Sequence, residues 1–167
     1  MRSSWQIGTL FSIPFYVDQS WLLILVFVTL LNAGNVTAAG LTHNNPLIGG
    51  GVGLVMSLLL FSSVLLHELG HSLVARSQGI KVNSITLFLF GGLASIDRES
   101  QSPKEALAVA IAGPMVSLTL FGVFFGLTQV WPSTSLAGFL VQDLANLNLV
   151  LAMFNLIPGL PLDGGQI

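Results

Sequence analysis

Four long apolar runs dominate the chain, separated by short stretches in which Gly, Pro, Asn and Ser concentrate. The first predicted helix covers about residues 21–39, with Trp21 to Val28 as its apolar centre and Asn32, Gly34 and Asn35 weakening its far end. Residues 40–46 end in Pro46 and read as a turn, and His43 within it as a loop residue rather than a ligand. The second helix is predicted over about 47–77, opening on the small residues Gly49-Gly50-Gly51-Val52-Gly53. The third covers about 104–130, announced by Ser102 as a cap with Pro103 at the first helical position and Glu105 in the first turn. The fourth covers about 136–157, after the turn Trp131-Pro132-Ser133-Thr134-Ser135, and stops at Pro158. A bilayer demands about 20 apolar residues per helix, and each run supplies them. The expected fold class is therefore an all-α polytopic membrane protein with about four transmembrane helices.

Two segments depart from helical periodicity. In residues 1–19, Ile7, Leu10, Phe11, Ile13, Phe15 and Val17 alternate loosely with Gly, Ser and Pro14, which fits either a short interfacial strand or hairpin or a loosely ordered arm. Trp5, Tyr16 and Trp21 suit the headgroup zone. Residues 82–96 are rich in β-branched and aromatic side chains and are broken by Gly91-Gly92, so two short strands turning at those glycines are expected, a membrane-associated β-hairpin after the second span. Non-helical backbone at membrane depth is tolerated only against protein or a wet cavity. That places the hairpin beside the end of the second span, where its edge can pair with an extended peptide, and makes Gly91 and Gly92 candidate substrate-contacting residues.

Composition sharpens this picture. The chain is 53% hydrophobic and 7% charged, against about 25% charged in a soluble domain. There is no cysteine, hence no disulfide framework, thiolate metal site or cysteine nucleophile. The net charge is -2 with no basic cluster, which argues against nucleic acid as a partner. The partners expected are the lipid bilayer and a transmembrane protein substrate, and a homo-oligomer is left open. One domain spanning 1–167 is the natural reading of the length. The first apolar segment lacks a cleavage signature and reads as a retained anchor. With four spans, the basic residues Arg2, Arg76, Lys81, Arg98 and Lys104 all fall on one side, so the N-terminus and the loop between the second and third spans are expected in the cytoplasm. The expected location is the cell membrane.

The candidate chemistry lies in His67-Glu68-Leu69-Gly70-His71. A spacing of four brings both imidazoles onto one helix face, where both reach one metal ion. Glu68 lies about 100° round the helix from His67, close enough to act on a metal-bound water. Ionisable groups inside a membrane are costly and tend to be functional. The residues from Gly49 to His67 rise roughly 27 Å, which puts the motif toward the cytoplasmic side, and with it Glu68, the general acid/base of the reading. Zinc sites that catalyse usually have three protein ligands. Asp97, Glu99 and Glu105 belong to a solvated loop and Asp143 to the far end of the fourth span. Asp163 returns to the right side in a Pro-x-x-Pro-x-Asp-Gly turn and is the best third ligand for Zn2+. The fourth span also carries Gln142, Asp143, Asn146, Asn148 and Asn155. Asn148 and Asn155 share a face and can bond either neighbouring helices or a substrate backbone and oxyanion.

His67-Glu68-Leu69-Gly70-His71, Phe90-Gly91-Gly92, Ala112-Gly113-Pro114 and the run Asn155 to Gly165 stand in the order seen in site-two proteases, which this chain resembles from Val64 onward. The resemblance implies an intramembrane zinc metalloprotease with His67, His71 and Asp163 as zinc ligands and Glu68 as catalytic acid/base. It further implies substrate binding assisted by Asn155, a β-hairpin at 82–96 near the site, and substrates among membrane-anchored signalling proteins. In the most similar subgroup Asp-Gly-Gly is often followed by Arg, where this chain has Gln166, and further spans and a pair of CBS modules often follow. The chain is accordingly expected to be a fragment of a longer protein, with its activity as it stands in question. The competing reading is a metal-binding transporter or non-catalytic scaffold built on the same His pair. The near absence of polar groups in the first span and the retention of Glu68 weigh against it.

Overall fold

The computed structural model describes residues 4–43, 45–89, 91–97, 102–132 and 134–157. The chain opens with strands β1 (Ser4–Leu10) and β2 (Ile13–Asp18). Helices α1 (Gln19–Ala38) and α2 (Pro46–Ser77) follow, then strands β3 (Val82–Phe88) and β4 (Gly91–Ile96), and finally helices α3 (Pro103–Leu127) and α4 (Leu136–Asn155). All four helices are long and apolar enough to cross a membrane. Each starts on a side-chain cap that satisfies an orphan backbone amide: Asp18 for Ser20, Asn45 for Leu47, Ser102 for Glu105 and Ser135 for Gly138. The expected Ser102-Pro103 start of the third helix is therefore present as drawn from the sequence.

Residues 1–19 follow the hairpin alternative rather than the loose arm, and their joining to residues 82–96 in one sheet was not expected. The four strands form one sheet in the order β1-β2-β3-β4, with β2 and β3 parallel and the outer pairs antiparallel. The N-terminal segment is thus a hairpin joined to residues 82–96 through pairs such as Tyr16 with Thr86. The turn of the second hairpin also sits earlier than expected. Phe88 pairs with Gly91, so the glycines begin β4 instead of forming the bend. Gly91 has φ +132, a conformation that only glycine adopts readily.

Alternation decides which sheet face is buried. Ile13, Phe15 and Val17 of β2 point inward. In β3 a register shift between Val82 and Ser84 moves the inward set to Val82, Ile85 and Leu87. Of these, Ile13, Phe15, Val82 and Ile85 pack with Leu69, Ala75 and Ile80 into one apolar cluster, joined by Leu65, Ala94 and Val109. The sheet therefore seals the half of α2 that carries the histidines. Arg76 strengthens the seal by donating to the carbonyl of Phe11 in the β1–β2 turn.

Helix α2 is the axis of the bundle and packs against α1, α3 and α4. The other helices reach it through polar contacts in succession along its length: Asn32 Nδ2 donates to Ser57 Oγ at 3.1 Å from α1, and Asn148 Nδ2 to Ser63 Oγ at 3.1 Å from α4. Helix α1 buries only Asn32 and Val36 and turns Leu23, Val26, Phe27 and Leu30 outward. That pattern suits a helix bathed in lipid, where inter-helix contacts come from packing and hydrogen bonds rather than hydrophobic burial.

Candidate metal centre and active site

His67 is 2% exposed and sits on the face of α2 that meets α3. One turn on, His71 is half-buried. Their Nε2 atoms lie 3.2 Å apart. Two nitrogens bound to one zinc at about 2.0–2.1 Å with a tetrahedral angle between them are separated by about 3.3 Å. The pair therefore stands at the spacing a shared zinc ion requires. The other ring nitrogens point away from this meeting point: Nδ1 of His67 lies 2.9 Å from Ser117 Oγ, and Nδ1 of His71 lies 2.7 Å from the carbonyl of Val109. A carbonyl only accepts, so Nδ1 of His71 donates in this contact, and in the neutral ring Nε2 is then the nitrogen that can bind a metal.

Space for an ion comes from α3. A Cβ on Gly113 would fall against Nε2 of His71 and lie 2.7 Å from Nε2 of His67. Gly113 thus keeps open the volume that the two imidazoles face. The close passage of the helices that brings it there depends on Gly70, between the histidines: a Cβ on Gly70 would lie 3.0 Å from the Ala112 carbonyl and 2.8 Å from Val116 Cγ2. In the sequence Ala112-Gly113-Pro114 stood out as one of the ordered motifs of the resemblance. Its role as one wall of the His site needed the register of α3 on α2.

Glu68 is half-buried and meets the sheet at β4. A Cβ on Gly92 would overlap Glu68 Cγ and lie 3.2 Å from Oε1. The hairpin expected beside the motif is thus in contact with it, and Gly92, the second residue of β4, is the point of approach. Among the described residues, no third His, Cys, Asp or Glu completes a metal-binding group with His67 and His71. Asp163 lies outside the described residues. Asn148 is fully buried and donates to Ser63 Oγ and, at 2.8 Å, to the Leu144 carbonyl. Its Oδ1 is buried with no partner among the described residues. Ser63 precedes His67 by one turn, so this contact brings α4 to the same face of α2. Asn155 is half-buried at the end of α4 and donates to the Leu151 carbonyl at 2.9 Å. Of the acids set aside, Asp97 is exposed and pairs with Lys81 at 3.8 Å, as a solvated loop residue does. His43 is exposed in the turn before α2, at the opposite end of that helix from His67.

Four apolar helices, a sheet packed on one of them and a convergent His pair beside a glutamate define a helical membrane protein with a paired-histidine site. Comparison with known proteins sharpens this class. The model of Peptidase family M50 matches residues 55–138. A solved site-2 protease from Methanocaldococcus jannaschii superposes with a TM-score of 0.69 at 32% identity, over 99% of this chain and 69% of that one. A Synechocystis sp. protein whose name places it among the zinc metalloproteases is 52% identical over the whole of this chain and 44% of its own length. A zinc metalloprotease of M. jannaschii is 44% identical over 68% of this chain and 33% of its own. The chain belongs to Peptidase family M50, the site-2 proteases. It spans less than half the length of these two zinc metalloprotease relatives.

Proposed function

We propose that this chain is the core of a zinc-dependent intramembrane endopeptidase, with His67, His71 and Asp163 as the metal ligands and Glu68 as general acid/base. The observation that carries the reading is the 3.2 Å approach of the two Nε2 atoms across the space left by Gly113. Bound zinc would supply Lewis acidity to the attacking water and to the scissile carbonyl. Glu68 takes the proton from that water and returns it to the leaving amine. The names and family of the relatives support zinc as the metal.

The substrate is a membrane-anchored protein whose helix unwinds locally to present an extended segment. β4 is an edge of the sheet, and its Gly92 adjoins Glu68, so a strand added along β4 would lie beside the catalytic carboxylate. Gly91 and Gly92 add no side chain of their own to that edge, and at Gly92 the Glu68 side chain takes the space. Asn155, and Asn148 through an Oδ1 without a partner among the described residues, offer polar contacts to the unwound backbone. The N-terminus and the loop between α2 and α3 face the cytoplasm of the cell membrane, on the strength of the basic residues gathered there.

The test is cleavage of a single-span substrate by the full-length protein in detergent or liposomes, comparing the wild type with Glu68→Gln. Cleavage is expected to disappear in the variant while bound zinc remains. Equal cleavage by the two proteins overturns the mechanism.

A further inference from the structure

One stripe of α3 lines the His site. Val109, Gly113 and Ser117 follow one another at intervals of four residues and so share a face. The Val109 carbonyl holds Nδ1 of His71, the bare Gly113 faces both Nε2 atoms, and Ser117 Oγ holds Nδ1 of His67. The grips at Val109 and Ser117 lie eight residues apart on α3 and bracket histidines four apart on α2, so each imidazole is held from behind and the gap at Gly113 falls between the grips. Ser117 and His67 are 0% and 2% exposed, which leaves this hydrogen bond shielded from competing solvent.

We propose that Ser117 is a positioning residue for the metal site. By accepting the Nδ1 proton of His67 it selects the tautomer with a free Nε2 lone pair and fixes the plane of the ring. This inference rests on the metal-binding reading above. The two histidines differ in how they are held. His71 is anchored by a backbone carbonyl, an acceptor that no side-chain replacement at Val109 deletes. His67 depends on a side-chain hydroxyl, so Ser117 is where the geometry of the pair can be lost by a single substitution. Outer partners of this kind typically contribute about 10- to 100-fold in metal affinity.

The decisive comparison is Ser117→Thr against Ser117→Val. Both add the same bulk and differ only in the hydroxyl, so a packing effect moves both and a hydrogen-bonding effect moves one. Zinc affinity is measured by chelator competition on the full-length protein in detergent, and the visible spectrum of the Co2+-substituted protein reports ligand geometry. The Thr variant is expected to bind zinc close to the wild type with an unchanged Co2+ spectrum. The Val variant, and Ser117→Ala, are expected to lose about 10- to 100-fold in affinity and to show an altered spectrum. Equal affinities and spectra for Thr and Val, or wild-type behaviour of Ala, overturn the role of Ser117. Failure of the wild type itself to bind zinc would instead overturn the metal reading on which the role rests.

Discussion

At the scale of single residues, two glycines do work that no side chain can share. Gly113 holds open the space the Nε2 atoms face, and its replacement by Ala would place a methyl against both, where the proposed metal would sit. Gly113→Ala is expected to reduce bound zinc to background by elemental analysis while helical content by circular dichroism stays at the wild-type level. A full equivalent of zinc in that variant would show that the ion sits elsewhere. Gly92 lets β4 reach Glu68, and Gly92→Ala would push the carboxylate aside. Displacing a catalytic group by about 1 Å costs on the order of 100-fold in rate, so peptide cleavage should fall by about that factor with zinc retained. A variant cleaving at the wild-type rate would argue that Glu68 is free to shift. The histidines and Glu68 could be read from the chain because their relation is local: i and i+4 on one helix share a face whatever surrounds them. Gly113 and Ser117 could not, because a small residue and a serine inside an apolar helix look alike whether they face lipid, another helix or a metal.

At the scale of elements, α2 is tied to its neighbours by two different devices whose strengths can be ranked. Asn148 joins α4 to Ser63 by one buried hydrogen bond. Contacts of this type in membranes contribute about 0.6 kcal/mol and at most about 1.7, so Asn148→Ala should lower the unfolding free energy by about that amount. Gly53 joins α1 by close backbone approach: a Cβ there would lie 2.5 Å from the Thr29 carbonyl oxygen and 2.7 Å from the Ala33 nitrogen. Backbone cannot turn aside as a side chain can, and overpacking typically costs about 1–3 kcal/mol. Gly53→Val is therefore expected to destabilise more than Asn148→Ala in denaturant titrations of the purified protein. The reverse order would show that polar contacts, not close packing, dominate this bundle. The helix boundaries expected from the apolar runs fall within two or three residues of those found. Low-dielectric surroundings force each span to satisfy its own backbone, so length and caps suffice to place it. The sheet was harder to read. β2 and β3 lie far apart in sequence, and their parallel pairing depends on both packing against α2.

At the scale of the whole molecule, the arrangement has a polarity that can be measured. The loop after α2 and the one between α3 and α4 lie at opposite ends of the bundle if all four helices cross the membrane. The chain has no cysteine, so single cysteines report without background. In right-side-out vesicles a membrane-impermeant maleimide should label Thr134→Cys and spare Lys81→Cys. Labelling of both from one side would contradict four crossings. The sequence was enough to read four helices, the Ser102 cap of the third and the His-Glu-x-x-His face, since these depend on contacts within one turn of helix or on the demands of the bilayer, and the order of its motifs was enough to read the family. Folding in three dimensions added the relations between distant segments: a four-stranded sheet uniting residues 4–18 with 82–96, Gly92 against Glu68, and α3 laid across α2 in the register that sets Val109 and Ser117 behind the histidines and Gly113 before their Nε2 atoms. Such relations follow from shape complementarity between whole faces. A pattern read along one chain carries the face but not the partner it meets.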